Sequence, residues 1–282
     1  MNVNKLALAS TAKECIVHWA LAGSLIILFV SGSALAFPFL GFLSILFGGV
    51  HSMKLIHHGV GILFSFSLIA VIFIWWKDCL FEADDIKWLI KAGGYIIRTK
   101  DIPKMAKFNA GQKIFFWYAI FFGIISSITG IIMLYPSRVS STFLTTWSYP
   151  AHTIAYAMFG VGWLGHWYLG VFANPGSLSS IISGWVPLSW VRHHRGKWPI
   201  TQVKVVLYGE LTDSIVLGLQ EKLNDFLHFS WDTMLLDCKD VTTIDEKVLT
   251  FLATFLKAAQ EVGKIKIIGP HPEISKLLKQ GT

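Results

Sequence analysis

Charged residues are scarce in this chain of 282 residues: Asp, Glu, Lys and Arg together make up 15% of it, whereas hydrophobic residues make up 54%. Soluble globular domains contain about 25% charged residues, so this composition excludes a wholly soluble protein. The hydrophobic content also excludes a disordered chain, which has little apolar surface to bury. The length allows a compact membrane domain of several helices and one small soluble domain.

Cysteine is equally scarce. The three cysteines, Cys15, Cys79 and Cys238, lie far apart and form neither a C-x-x-C pair nor the C-x-x-C-H sequence that attaches haem covalently. Any haem is therefore expected to be of the non-covalent kind. The sequence also lacks an iron–sulfur cysteine pattern and a nucleotide-binding glycine loop.

Four long stretches contain no Lys, Arg, Asp or Glu, and each reaches the roughly 20 apolar residues that a helix needs to cross the bilayer. We predict membrane spans at Ile16 to Phe37, Leu55 to Trp76, Ile114 to Tyr135 and Tyr149 to Phe172. Residues 1–198 are thus predicted to form an all-α membrane four-helix bundle. Two shorter apolar stretches do not fit a span. We expect Phe39 to Val50 to lie at the membrane surface, and Leu178 to Val191, which contains Pro187, to form an interfacial helix or turn.

The basic residues indicate orientation and not nucleic-acid binding, although the net charge is +7, because they flank the apolar runs instead of clustering on one soluble face. The loops after the second and fourth predicted spans are rich in Lys and Arg, whereas the loops after the first and third spans carry only Lys54 and Arg138. Both termini are therefore predicted to be cytoplasmic, in a multi-pass protein of the bacterial inner membrane that contacts lipid. The residues on the predicted cytoplasmic side are Lys77, Lys87, Lys91, Arg98, Lys100, Lys104, Lys107, Lys113, Arg192, Arg195 and Lys197.

Four histidines lie within the predicted spans, namely His18, His57, His152 and His166. An imidazole inside a membrane must find a polar partner or a metal. A single histidine of this kind is equally well explained by a hydrogen bond to a neighbouring Ser, Thr or carbonyl group. Four histidines that match in depth favour a metal-binding role.

Depth decides how these histidines pair. Fourteen residues separate His152 from His166. This spacing is close to four turns of one helix, so both rings face the same side of it. It also separates the rings by roughly 21 Å along the helix axis, so they cannot bind the same iron. The inner pair is then His18 with His166, and the outer pair is His57 with His152. Two imidazoles from facing helices at each depth predict two bis-histidine haems. His58 remains an alternative to His57, since adjacent positions differ by roughly 100° around a helix.

Residues 15–198 resemble the cytochrome b (gamma) subunit of respiratory formate dehydrogenase N, within the wider group of dihaem membrane anchors. The most specific shared run extends from Lys107 to Lys113 and contains Asn-Ala-Gly-Gln. The other shared elements are His18-Trp19, Leu55 to Ile62, Asp85-Ile86-Lys87-Trp88-Leu89, the spacing of His152 and His166, and His193-His194 followed by Trp198.

The resemblance implies that the four histidines ligate two b haems. It also implies that a periplasmic iron–sulfur subunit, attached to a catalytic dehydrogenase subunit, feeds the outer haem, and that the inner haem reduces menaquinone. By position, Asn109, Gly111 and Gln112 would line the quinone pocket on the cytoplasmic side. Without the resemblance, Asn109 is better explained as the N-cap of a helix.

After Pro199 the pattern changes to short β-branched strands that alternate with amphipathic helices, which predicts a small sheet covered by helices in residues 199–282. The predicted strands are Val203 to Leu207, Thr233 to Asp237 and Lys264 to Ile268, and the predicted helices are Ser214 to Phe229, Glu246 to Val262 and Pro272 to Lys279.

This tail resembles the STAS fold of anti-anti-sigma factors and anion-transporter tails through Leu207 to Leu211, Leu235 to Cys238 and Thr243 to Asp245, although it lacks an obvious first strand. Phosphorylatable STAS members have Ser after the Asp, where this chain has Glu246. That carboxylate either imitates a permanent negative charge or is a first-turn residue favoured by the helix dipole. A STAS-like tail leaves room for a cytoplasmic protein partner.

Three functions remain open at this point. The first is an electron-transfer subunit of a formate dehydrogenase-type complex. The tail motivates a second, an anion transporter, although four spans are few for such a protein and the broken-helix repeats of transporters are not evident. The third is a haem-based membrane sensor whose tail reports the redox state. Haem content separates the second from the others, and a quinone assay separates the first from the third.

Overall fold

The computed structural model describes residues 3–94, 101–269 and 272–274. The chain divides into a helical unit, Thr11–Ile182, and a sheet unit, which combines Met1–Ser10 with Ser183–Thr282. The predicted boundary at residue 198 differs from this division, because the first ten residues and residues 183–198 group with the sheet.

Long helices dominate the helical unit. Among the described residues, three helices are long and apolar enough to cross a membrane, namely α1 (Ala12–Ala36), α2 (Val50–Trp75) and α4 (Ala110–Leu134). A further helix, α5 (Thr142–Tyr168), has the length but is not one of these three. The four predicted spans fall on these four helices, so their helical structure is confirmed, whereas a membrane crossing by α5 stays a prediction.

Shorter elements connect the long helices. Pro38–Phe47 forms a 3-10 helix, too short to cross a bilayer. Among the described residues of the unit, the shorter α-helices are α3 (Ala83–Ile90) and α6 (Ser179–Ile182). Helix α1 begins with a capping box, in which the Thr11 N–H donates to Glu14 Oε2 at 2.7 Å and the Glu14 N–H donates to Thr11 Oγ1 at 3.3 Å.

Small and polar residues let the long helices approach one another. A Cβ added to Gly123 of α4 would lie 2.7 Å from Leu68 Cδ2 of α2, so any larger residue there would force the Leu68 side chain to move. The Ser65 hydroxyl of α2 donates to Ser127 Oγ of α4 at 2.8 Å. An apolar cluster fills part of the unit's interior, and its buried members are Phe64, Leu68, Val71, Cys79, Phe116, Ile120 and Phe159.

Within the part of the chain that the structure describes, the sheet unit contains five strands in the order β2-β1-β3-β4-β5. Its strands are β1 (Val3–Leu8), β2 (Trp185–Pro187), β3 (Gln202–Leu211), β4 (Thr233–Ile244) and β5 (Lys264–Ile268). Strand β1 pairs antiparallel with both β2 and β3, whereas β3, β4 and β5 are parallel. Parallel neighbours need helical crossovers, which α8 (Val216–Asn224) and α9 (Glu246–Val262) provide; α7 (Leu188–His194) follows β2.

The predicted tail is confirmed in outline. Helix α9 and strand β5 have the predicted bounds, and the predicted helix Ser214 to Phe229 is an α-helix with 3-10 turns at both ends. Of the predicted helix Pro272 to Lys279, only residues 272–274 lie within the described residues, and they are helical.

Two predictions about this unit are wrong. The prediction that residues 1–198 are all-α overlooks β1, which lies between β2 and β3 in the sheet with Val3 and Ala7 buried. The reason is that its six residues include a single β-branched residue. Leu178 to Val191 is not a single interfacial helix or turn, because Trp185–Pro187 pairs with Leu6 to Leu8 as strand β2.

Candidate functional site

The outer pair joins α2 to α5. The rings of His57 and His152 are 6.5 Å apart, centre to centre, and both residues are half-buried. The competing residue His58 is exposed.

Hydroxyl groups on the two other long helices hold the outer rings. Ser31 Oγ on α1 lies 2.8 Å from His57 Nδ1, and Thr129 Oγ1 on α4 lies 2.9 Å from His152 Nδ1. Each hydroxyl also donates to a carbonyl of its own helix, Ser31 to Ile27 at 2.7 Å and Thr129 to Ile125 at 2.6 Å.

These bonds are compatible with metal ligation through Nε2 of both outer histidines. Each hydroxyl has one proton and lies within hydrogen-bonding distance of a helix carbonyl and of an imidazole Nδ1, and the direction of the bond to the imidazole depends on the tautomer. When the hydroxyl donates to the carbonyl, its oxygen accepts from the imidazole Nδ1–H, and Nε2 keeps the lone pair that a metal ion requires. Ligating histidines commonly carry such a hydrogen bond on their other nitrogen.

A glycine follows each of these hydroxyl residues. A Cβ on Gly32 would lie 3.5 Å from His57 Cε1, and one on Gly130 would lie 3.4 Å from His152 Cε1. The dipeptides Ser31-Gly32 and Thr129-Gly130 therefore play the same part on two helices, since each provides an acceptor and room for the facing ring. Sequence reasoning missed Ser31 and Thr129, and this repeated pattern opposite two membrane histidines is the signal that would have identified them.

The inner pair joins α1 to α5. The rings of His18 and His166 are 6.4 Å apart, and the ring of Phe115 stacks on His166 at 4.3 Å with an angle of 9° between the planes. Trp19 packs edge-on against His18. Within the described residues, His18 Nδ1 is buried and has no hydrogen-bond partner. The surroundings of the inner pair are therefore aromatic, unlike the hydroxyl-lined outer pair.

Both pairs fit bis-imidazole ligation of one iron each. Metal–imidazole bonds are about 2 Å long, so two rings on opposite sides of one ion have centres roughly 6 Å apart. The separations of 6.4 and 6.5 Å match this geometry. Across the described residues, no group of three or more His, Cys, Asp or Glu side chains could hold a metal ion, so each site offers a pair of imidazoles.

The predicted quinone residues lie at the start of α4. The Gln112 N–H donates to Asn109 Oδ1 at 2.9 Å, and the Asn109 N–H donates to Gln112 Oε1 at 3.0 Å, so Asn109 is the N-cap of this helix. The Gly111 backbone meets the ring of Trp88, which an added Cβ would approach to 3.3 Å. The capping box uses both side-chain oxygens, and what remains of each amide is its NH2 group, a hydrogen-bond donor.

Two buried ion pairs flank this segment, and sequence reasoning identified neither. The Lys107 ammonium contacts Glu14 of α1 and lies 3.2 Å from Asp78 Oδ2. The Lys113 ammonium lies 2.8 Å from Asp85 Oδ2, with 1% of each side chain exposed. No periodic pattern predicts such pairs, because their partners are distant in sequence.

Comparison with known proteins places the helical part of the chain among membrane cytochromes. Residues 10–184, more than half of the chain, match the family described as prokaryotic cytochrome b561. The chain is 28% identical over 190 residues to the formate dehydrogenase cytochrome b556(fdo) subunit of Escherichia coli K12, covering 67% of this chain and 89% of that protein. It is 30% identical over 189 residues to the formate dehydrogenase cytochrome b556 subunit of Haemophilus influenzae, covering 65% and 78%.

A further relative is the nitrate-inducible formate dehydrogenase cytochrome b556(Fdn) subunit of Escherichia coli K12, which is 23% identical over 201 residues, covering 70% of this chain and 92% of that protein. The family match and the apolar helices identify the chain as a membrane cytochrome b, a type of protein that binds haem b. The chain belongs to the prokaryotic cytochrome b561 family.

Proposed function

We propose that this chain is the cytochrome b subunit of a formate dehydrogenase-type complex and passes electrons from a periplasmic iron–sulfur subunit to menaquinone on the cytoplasmic side. The observation that carries the proposal is the presence of two histidine pairs with ring separations of 6.4 and 6.5 Å. Haem b bound by each pair would supply one-electron redox chemistry. The catalytic dehydrogenase subunit follows from the relatives, which are subunits of formate dehydrogenases.

The sheet supports four membrane crossings. Strand β1 pairs with β3 from Val3 opposite Leu207 to Ala7 opposite Val203. Backbone hydrogen bonds of one sheet form on one side of a bilayer, so residues 3–8 and 202–211 share a side. The chain between them then crosses an even number of times. With α1, α2 and α4 as spans, this argument favours α5 as the fourth, and the basic residues after α2 and α5 favour cytoplasmic termini in the inner membrane.

The start of α4 supports a quinone site beside the inner pair. A quinone carbonyl accepts hydrogen bonds, and the remaining NH2 groups of Asn109 and Gln112 are donors. Gly111 leaves that end of the helix without a side chain next to Trp88. We propose that these three residues orient menaquinone, and that the sheet unit serves as a STAS-type regulatory or docking domain.

The test is electron transfer in the purified complex. Replacing His166 by alanine should remove the inner haem, leaving the outer haem reducible by formate but not by quinol, and should abolish quinone reduction. The matched control is His58→Ala, which should retain both haems. Loss of only the outer haem in His166→Ala, or quinone reduction that survives it, would contradict the proposal.

A further inference from the structure

Glu14 is a buried carboxylate to which the proposed function assigns no role. It lies at the start of α1 and is 6% exposed. Its Oε2 accepts from the Thr11 backbone N–H at 2.7 Å and from the Thr11 hydroxyl at 2.9 Å. Its Oε1 accepts from Trp75 Nε1 at 2.7 Å and contacts the Lys107 ammonium. Both oxygens are thus satisfied by donors from three separate segments, which fixes the carboxylate in place.

Lys107 connects Glu14 to the quinone segment, by which we mean residues 107–113. Its ammonium is shared between Glu14 and Asp78, and 12% of its side chain is exposed. Phe108 packs edge-on against Trp75 with ring centres 5.7 Å apart. At the other end of the segment, Lys113 forms the buried pair with Asp85. Asn109, Gly111 and Gln112 therefore lie between two anchored lysines.

Glu14 also lies one helical turn before His18 on α1. Residues at positions i and i+4 are neighbours on one face of a helix, so Glu14 and His18 lie on the same face of α1. One residue therefore contacts the lysine that anchors the quinone segment and shares a helix face with an inner histidine. A charge one helical turn from a redox centre influences the energy of adding an electron there.

We propose that Glu14 is a positioning residue for quinone reduction, which holds the quinone segment through Lys107 and contributes a negative charge beside the inner histidine pair. This inference rests on the proposed function. The two parts of the role have different signatures: loss of either partner should misplace the segment, whereas loss of the anion and loss of the cation should shift the potential of the inner haem in opposite directions.

The experiment compares Glu14→Gln, Lys107→Gln and the surface control Asp101→Asn in the intact complex. Both test variants should raise KM for a menaquinone analogue on the order of tenfold to a hundredfold, the effect expected of a misplaced binding group. In redox titrations, Glu14→Gln should raise the midpoint potential of the inner haem and Lys107→Gln should lower it. The outer haem should not move in either variant, and Asp101→Asn should resemble the wild type.

Several outcomes would overturn the inference. If the wild-type complex reduces quinone while both test variants keep its KM and potentials, Glu14 has no positioning role. Potentials that move in the same direction in both variants would indicate general damage to the fold, and the electrostatic part would be wrong. If Glu14→Gln does not accumulate, the KM and potential of Lys107→Gln decide. A wild-type complex that fails to reduce quinone would instead refute the proposed function itself.

Discussion

Thr129→Val tests the hydroxyl that holds the outer pair. Valine keeps the shape of threonine but removes the acceptor that lies 2.9 Å from His152 Nδ1. The Ile125 carbonyl loses only an extra donor, because it also accepts the backbone hydrogen bond of its own helix. The substitution should therefore leave α4 intact and free the imidazole to rotate or to change tautomer.

The size of the expected effect follows from what is known of groups that hydrogen-bond to metal-ligating histidines. Replacing a group that orients a ligating histidine lowers metal affinity about 10–100-fold, which corresponds to about 1.4–2.8 kcal/mol. If each histidine pair holds a haem, as proposed, the haem of the outer pair should then leave the purified protein about 10–100 times faster than in the wild type. Haem transfer to excess apomyoglobin, followed optically, measures both rates.

The matched control is Thr145→Val on α5. Its hydroxyl donates to the Thr142 carbonyl at 3.0 Å, so it resembles Thr129 chemically, but it lies two turns before His152 and bonds to backbone carbonyls instead of a histidine ring. Ser31→Ala should reproduce the Thr129→Val phenotype through His57. The reasoning would be refuted if both haems were lost equally fast in Thr129→Val, or if neither rate differed from that of Thr145→Val.

Three further predictions concern the sheet unit. Gly184 has φ +80°, and an added Cβ would lie 2.3 Å from the Ser10 carbonyl oxygen. Gly184→Ala should therefore destabilise the sheet by at least about 1–3 kcal/mol, and amide hydrogen exchange should increase in β1 but not in α2. Burial, together with the charges of His193 and Arg195, lowers the pKa of His194 to about 4. The unfolded chain then binds a proton that the folded chain resists, so thermal stability should fall as pH drops from about 6.5 towards about 4, and His194→Gln should make that fall smaller. Burial and the nearby Asp237 raise the pKa of the Cys238 thiol to about 12, so mass spectrometry should find its peptide unmodified by iodoacetamide at pH 8 until denaturant is added; modification of the native protein would contradict this.

The sequence predicts the long helices and the parallel strands, because their signals are local. Uncharged runs of span length predict α1, α2 and α4, and alternation of strands and amphipathic helices predicts β5 and α9 at their observed bounds. The spacing of His152 and His166 depends only on helix geometry, and the structure brings each of these residues to the partner that depth assigned it.

The missed features are those that depend on distant parts of the chain. Strand β1 is stabilised by β3, which begins about 200 residues later, so its own six residues carry little signal. The ion pairs of Glu14 and Asp85 likewise join segments that only the folded helices bring together. Asn109 shows how two interpretations can both apply, since its oxygen caps a helix while its NH2 group stays a donor.

The most direct test of the central claim is a count of haem per chain by the pyridine haemochrome assay on the purified wild-type protein, repeated for His166→Ala and His152→Ala. Two bis-histidine sites predict two b haems in the wild type and one in each variant. A wild-type chain with a single haem, or variants that both keep two, would contradict the assignment of the histidine pairs.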